Sequence, residues 1–140
     1  MIMSLDAVRR AYRIYIVEDS AILLRLLVEM LGGISGALVV GHSGHAEQAI
    51  LEIAETTPDA IIVDILLHTG TGYDVLESVA DQSATMPVPI VLTNLSMAPH
   101  PEWAASLGAA HFFDKSTEIV KMFRLITELV AAHQGAAFRI

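Results

Sequence analysis

Four times along the chain, a short apolar run ends in polar or charged side chains. The sharpest case is Ala60-Ile61-Ile62-Val63-Asp64, where four apolar residues run straight into a carboxylate. An uninterrupted apolar stretch of this kind suits a strand buried on both faces, as at the centre of a parallel sheet. Arg13 to Val17 leads into Glu18-Asp19, Val88 to Leu92 into Thr93-Asn94, and His111 to Phe113 into Asp114-Lys115. In open α/β sheets the ligand crevice lies outside the carboxyl ends of the strands. The pattern therefore gathers acids, a hydroxyl and an amine along one edge, a set suited to phosphoryl transfer.

The segments between these runs carry helical spacing and helix-ending residues. Ser20 is placed to cap a helix running to Leu31 and stopped by Gly32-Gly33. Ala37 to Gly41 reads as a further strand, and Ala46 to Glu55 as a helix bounded by Pro58. A glycine-rich turn, Thr69-Gly70-Thr71-Gly72, opens a helix from Tyr73 to about Asp81. Pro101 to Leu107 makes a short helix with proline in its first turn. Ser116 is expected to cap the last helix, which runs to about Ala132. Five strands alternating with five helices predict a doubly wound α/β domain with a parallel sheet. At 140 residues the chain is expected to hold one domain, residues 12–131, between an N-terminal extension (1–11) and a C-terminal tail (132–140).

Composition narrows the function classes. With 54% hydrophobic and 17% charged residues, the chain is not a disordered one. No apolar run is long enough for a membrane span, because Arg25 and Glu29 interrupt the richest stretch. Met1 to Arg13 lacks the apolar core of a secretion signal, and the sequence contains no cysteine; both fit a cytoplasmic location. A formal net charge of −8 argues against direct nucleic-acid binding, which needs a basic surface. The histidines show no metal-ligand grouping, and His42 and His45 read as surface residues.

The strand-end residues point to one mechanism. A carboxylate such as Asp64 can attack phosphorus and carry an acyl-phosphate intermediate. Close carboxylates repel and raise one another's pKa unless a cation offsets them, so Glu18, Asp19 and Asp64 call for a divalent metal. Thr93 offers a hydroxyl to a phosphoryl oxygen, and Lys115 a point charge on a flexible stem.

In order along the chain, these residues resemble the receiver domain of bacterial two-component response regulators. The marks are Val17-Glu18-Asp19-Ser20, Val63-Asp64 with Gly72 eight residues on, Leu92-Thr93, and Gly108-Ala109 leading to Phe112-Phe113-Asp114-Lys115. The resemblance covers about residues 12–131 and implies a flavodoxin-like fold with strand order 2-1-3-4-5. It implies Asp64 as the phosphorylated residue, with Thr93 and Lys115 as catalytic partners. Mg²⁺, or Mn²⁺ in its place, would be held by Glu18, Asp19, Asp64 and the backbone carbonyl of Leu66. Thr93 and Phe112 would form the conformational switch. The implied partners are a histidine kinase or a histidine phosphotransfer protein and a downstream protein target. Three positions depart from the family pattern: His68 and Ser116 stand where proline is usual, and Asn94 where a small residue is common.

Competing classes fit less well. A haloacid-dehalogenase-type phosphohydrolase also uses an aspartate nucleophile, but needs a second Asp two residues on, where this chain has Leu66. An unphosphorylated interaction module would not need the intact set of Glu18, Asp19, Asp64, Thr93 and Lys115. The chain is expected to be a stand-alone receiver, with the receiver part of a longer transcriptional regulator as the alternative. For partner surfaces, helical spacing leaves Ile22 off the core stripe of the first helix, beside the acid pair. In the last helix, Ile119, Phe123, Ile126 and Val130 are expected to face inward. Met122, Leu125 and Leu129 are then expected to form a second apolar strip that serves a homodimer.

Overall fold

The computed structural model describes residues 11–81, 87–98 and 102–137. Its elements alternate as the sequence patterning predicts. The strands are β1 (Tyr12–Val17), β2 (Ala37–Ser43), β3 (Ala60–Val63), β4 (Val88–Thr93) and β5 (His111–Asp114). The helices are α1 (Ala21–Gly32), α2 (Ala46–Thr56), α3 (Gly72–Ala80), α4 (Glu102–Ser106) and α5 (Ile119–Ala137). All strands pair in parallel, in the order β2-β1-β3-β4-β5.

Alternation along the central strands builds a core on each face of this sheet. Ile61 and Val63 of β3, with Tyr15, Val17 and Val91, face α2, α3 and α4. Ala60 and Ile62, with Ile14, Ile16, Ile90 and Leu92, face α1 and α5. A strand covered on both sides needs apolar residues at every position, which is why Ala60 to Val63 shows no polar alternation. Local signals set the helix starts. The Ser20 hydroxyl accepts from the Leu23 N–H, and Thr71 and Asp74 form a reciprocal capping box at α3.

The structure corrects the expected partner strip and two boundaries. Met122, assigned to a dimer surface, is 1% exposed and sits in the core between α5 and the sheet. The inward face of α5 is Met122, Ile126 and Val130, at i, i+4 and i+8. Ile119, Phe123, Leu125 and Leu129 flank it and pack against the same core. The helix therefore carries one wide apolar stripe instead of two, and no exposed strip of Met122, Leu125 and Leu129 exists for a homodimer. The sequence alone does not fix the phase of so broad a stripe, because both of its borders are apolar. Ser116 does not cap α5, which starts at Ile119; its N–H and hydroxyl turn back to Asp114 Oδ1. The helix also continues through Ala137, so a boundary at 132 falls inside it. On α1, Leu27 and Leu31 are buried, and Ile22 is 85% exposed as expected. The extension 1–11 lies outside the described residues except for Ala11, as does Pro101 of the short helix. Among the described residues, no helix is long and apolar enough to cross a membrane.

Core placement of Met122 has a measurable consequence. Truncating a buried methionine costs about 2–5 kcal/mol, whereas a surface change stays within about 0.5 kcal/mol. Met122→Ala is expected to lower unfolding free energy into the first range in urea titration, and a loss in the second range would contradict the packing.

Candidate functional site

The site sits where β1, β3, β4 and β5 end together. Backbone bonds carry the parallel ladder beyond the strand ends and fix the acids to the sheet. Glu18 N–H donates to the Ser43 carbonyl at 2.9 Å, Asp64 N–H to Val17 at 2.9 Å, and Lys115 N–H to Thr93 at 3.0 Å. The turn after Asp64 is held just as closely. The Gly72 N–H donates to the Ile65 carbonyl at 2.8 Å, and a Cβ at Gly72 would lie 2.3 Å from the Asp64 carbonyl oxygen. No side chain fits there, which gives the glycine eight residues after the acid a physical reason.

Both oxygens of Asp64 are engaged. The Thr93 hydroxyl donates to Oδ1 at 2.7 Å, and the Leu66 N–H donates to the same oxygen at 3.3 Å. Lys115 Nζ donates to Oδ2 at 2.6 Å and lies 2.9 Å from Glu18 Oε1. Glu18 also accepts from the Ser20 N–H at 3.0 Å. Glu18, Asp64 and Thr93 are buried, while Asp19 is partly open to solvent.

Carboxylate oxygens of Glu18, Asp19 and Asp64 lie within 4.8 Å of one another. One lysine stands against three acids, so the charge is not neutralised from within. Burial is the main cause that raises the Glu18 carboxyl from 4.5 to about 7, and the Asp64 charge adds to it, outweighing the Ser20 N–H and Lys115. Burial pulls the Lys115 ammonium down, but its hydrogen bonds to Asp64 and Glu18 prevail and hold it above its usual value. Both shifts have burial as their first cause, and Lys115 Nζ lies closer to Asp64 than to Glu18, at 2.6 Å against 2.9 Å. Clustered, partly dehydrated carboxylate oxygens are the donors hard divalent cations prefer. The donor set fits Mg²⁺.

The other expected site residues lie nearby. Phe112, on the edge strand β5, is half-buried and packs against the core on the α2, α3 and α4 face of the sheet. Asn94 accepts from the Ser96 hydroxyl at 2.7 Å. The sequence did not reveal the part played by the Ser20 N–H, a backbone group. Nor did it reveal that His45 and His68, far apart in the chain, bring their rings to 5.5 Å, with His68 Nδ1 3.9 Å from Asp19.

Comparison with known proteins agrees with this geometry. The model of the response regulator receiver domain matches residues 14–127, and the chain belongs to that family. It is a receiver domain of two-component signalling. Among curated relatives, a protein-glutamate methylesterase/protein-glutamine glutaminase from Myxococcus xanthus is 28% identical over 127 residues, 89% of this chain and 36% of the relative. A similarly named protein from Anaeromyxobacter dehalogenans is 32% identical over 111 residues, 79% of this chain and 31% of the relative. The chain thus spans about a third of the length of these relatives. The crystal structure of the response regulator domain of Thermotoga maritima CheB superposes with a TM-score of 0.70 at 24% identity, covering 91% of this chain and 96% of that one. It shares the fold.

The protonation of Glu18 gives a prediction for the metal-free protein. Because this acid holds its proton to about 7 in the fold and to 4.5 ordinarily, the folded state binds more protons between those values. Its contribution is fully present below about 4.5 and is lost as pH rises through about 7. Urea unfolding without divalent ions, between about pH 5 and pH 8, should show stability declining with pH, and Glu18→Gln should flatten that decline. A native slope that survives Glu18→Gln unchanged would count against it.

Proposed function

We propose that this receiver is a phosphoacceptor that takes a phosphoryl group onto Asp64 from a phosphohistidine of a kinase or phosphotransfer protein. The observation that carries this reading is the grip on Asp64: a hydroxyl on one oxygen and an ammonium on the other, beside two further acids. In the transfer, an Asp64 oxygen attacks phosphorus, the P–O bond forms, and the P–N bond to the donor imidazole breaks. Glu18, Asp19 and Asp64, with the Leu66 carbonyl, would hold Mg²⁺, or Mn²⁺ in its place. When bound, that ion supplies positive charge against the approaching phosphate. Lys115 and Thr93, which hold the two Asp64 oxygens, are placed to exchange them for phosphoryl oxygens. The ammonium then offsets the new charge, and the hydroxyl donates to it.

Movement of Thr93 toward the phosphoryl group would vacate space beside β4 and β5, where Phe112 is half-buried. Such a shift is the means by which the acyl phosphate would be reported to a downstream protein. On the kinase side, Ile22 is exposed in the first turn of α1, close in sequence to Glu18 and Asp19. That exposure supports Ile22 as a contact for a phosphodonor protein. The methylesterase names belong to relatives of which the chain matches about a third.

The test is phosphorylation by a small phosphodonor, read by intact mass. Phosphate should add to the native chain only with Mg²⁺ or Mn²⁺ present. Asp64→Asn should abolish the addition, since an amide is a poor nucleophile. Asp19→Ala should raise the metal concentration needed, by about tenfold or more. Phosphate found on the Asp64→Asn protein would refute the site assignment.

A further inference from the structure

Charge is divided unevenly between the two helical layers. No lysine or arginine occurs between Arg25 and Lys115. Helices α2, α3 and α4, which cover one face of the sheet, carry Glu47, Glu52, Glu55, Asp74, Glu77 and Glu102 with no lysine or arginine on any of them. On the other face, α1 and α5 set Arg25, Lys121 and Arg124 against Glu29 and Glu128. Like charges on one side of a small domain sum to a directional field, which here attracts a cationic partner and repels nucleic acid and anionic lipid.

Within this acidic layer stands the one tryptophan of the chain. Trp103 of α4 is 49% exposed, a large apolar ring left half open to solvent. It meets Tyr73 of α3 edge to face, with ring centroids 5.5 Å apart and an interplanar angle of 64°. Tyr73 is buried, so the pair is anchored to the core. It follows Gly72, whose N–H is pinned to the Ile65 carbonyl at 2.8 Å, so its place is fixed by the turn after Asp64. Acids flank the pair. Glu77 is exposed one turn along α3 from Tyr73, at i+4. Burial raises the Tyr73 hydroxyl above its usual value and the Glu102 charge adds to it, so that carboxylate stands near the phenol.

We propose that the α3–α4 face docks a basic segment of a partner protein, with an arginine guanidinium laid against the open part of the Trp103 indole between Glu77 and Glu102. A guanidinium stacks on an aromatic face while giving its N–H groups to carboxylates at the rim. Arginine therefore fits better than lysine, whose ammonium is compact and strongly hydrated. An aromatic anchor with a charged rim is the make-up of a contact in which a few residues hold most of the binding energy. This face is separate from Asp64 and its partners, and the contact does not depend on a phosphoryl group there.

Because Trp103 is the single tryptophan, its emission reads this face directly. The test titrates the native chain at low ionic strength with end-blocked hexa-arginine, hexalysine of equal charge and hexaglutamate. Hexa-arginine should change the emission in a saturable way and bind about two- to fivefold more tightly than hexalysine, the margin of an exposed cation–π contact. Hexaglutamate should change nothing. Glu77→Gln combined with Glu102→Gln should weaken hexa-arginine about threefold or more, and added salt should weaken it further. Glu29→Gln combined with Glu128→Gln removes the same charge from the other layer and should leave the affinity nearly unchanged. Trp103→Leu, followed by calorimetry, should lose the preference for arginine over lysine. Emission that does not respond to hexa-arginine overturns the proposal, as does equal affinity for the two basic peptides. An equal loss in the two glutamine pairs also overturns it, since attraction would then be to net charge alone. The glutamine pairs change exposed side chains only, so they decide the matter even if Trp103→Leu does not fold.

Discussion

Everything at the carboxyl edge of the sheet depends on how Asp64 is held. It ends the most buried strand, and its N–H continues the ladder to β1. Its two oxygens meet different donors, Thr93 from β4 and Lys115 from the end of β5. Three strands thus converge on one carboxylate through three short contacts. Because the bonds come from separate strands, any change in strand spacing is felt at this acid. Conversely, a change of charge on Asp64 is felt by both flanking strands. This coupling is the physical basis on which the proposed phosphoryl group on Asp64 would be felt by both flanking strands.

Burial has a second effect. Two of the three acids are almost wholly removed from water, and a single ammonium serves them. Breaking a buried charge balance is costly, and here the balance is already incomplete. The protein answers in part by shifting Glu18 toward its neutral form. A divalent cation is a better answer, since it allows all three acids to ionise. The same arrangement explains why an apolar scaffold this rigid is needed: flexible loops would let the carboxylates drift apart.

Most of the fold was legible in the sequence because its strongest signals are strand signals. A strand covered on both faces has to be apolar at each position, and Ala60 to Val63 leaves little room for another assignment. The acids, the hydroxyl and the lysine were legible for the same reason, since each directly follows such a run. What escaped was information that resides between segments. The phase of α5 was misjudged because Met122, Phe123, Leu125 and Leu129 make its apolar stripe wide, and only contact with the sheet shows that Met122 lies at its centre. Ser116 looked like a cap, but Asp114 captures its hydroxyl before the helix begins. The juxtaposition of Gly44, His45 and His68 with Asp19 comes from two loops meeting, and no local spacing announces it.

An acid cluster short of positive charge should be stabilised by the cation that completes it. Binding to the folded state alone raises the melting temperature in a saturable, concentration-dependent way. The most direct measurement is therefore the melting temperature of the unphosphorylated chain across a Mg²⁺ titration at neutral pH, with matched Na⁺ as the ionic-strength control. The structure predicts a rise that saturates with Mg²⁺ and does not occur with Na⁺. A melting temperature that responds equally to both salts, or to neither, would contradict the claim that Glu18, Asp19 and Asp64 form a preorganised cation site.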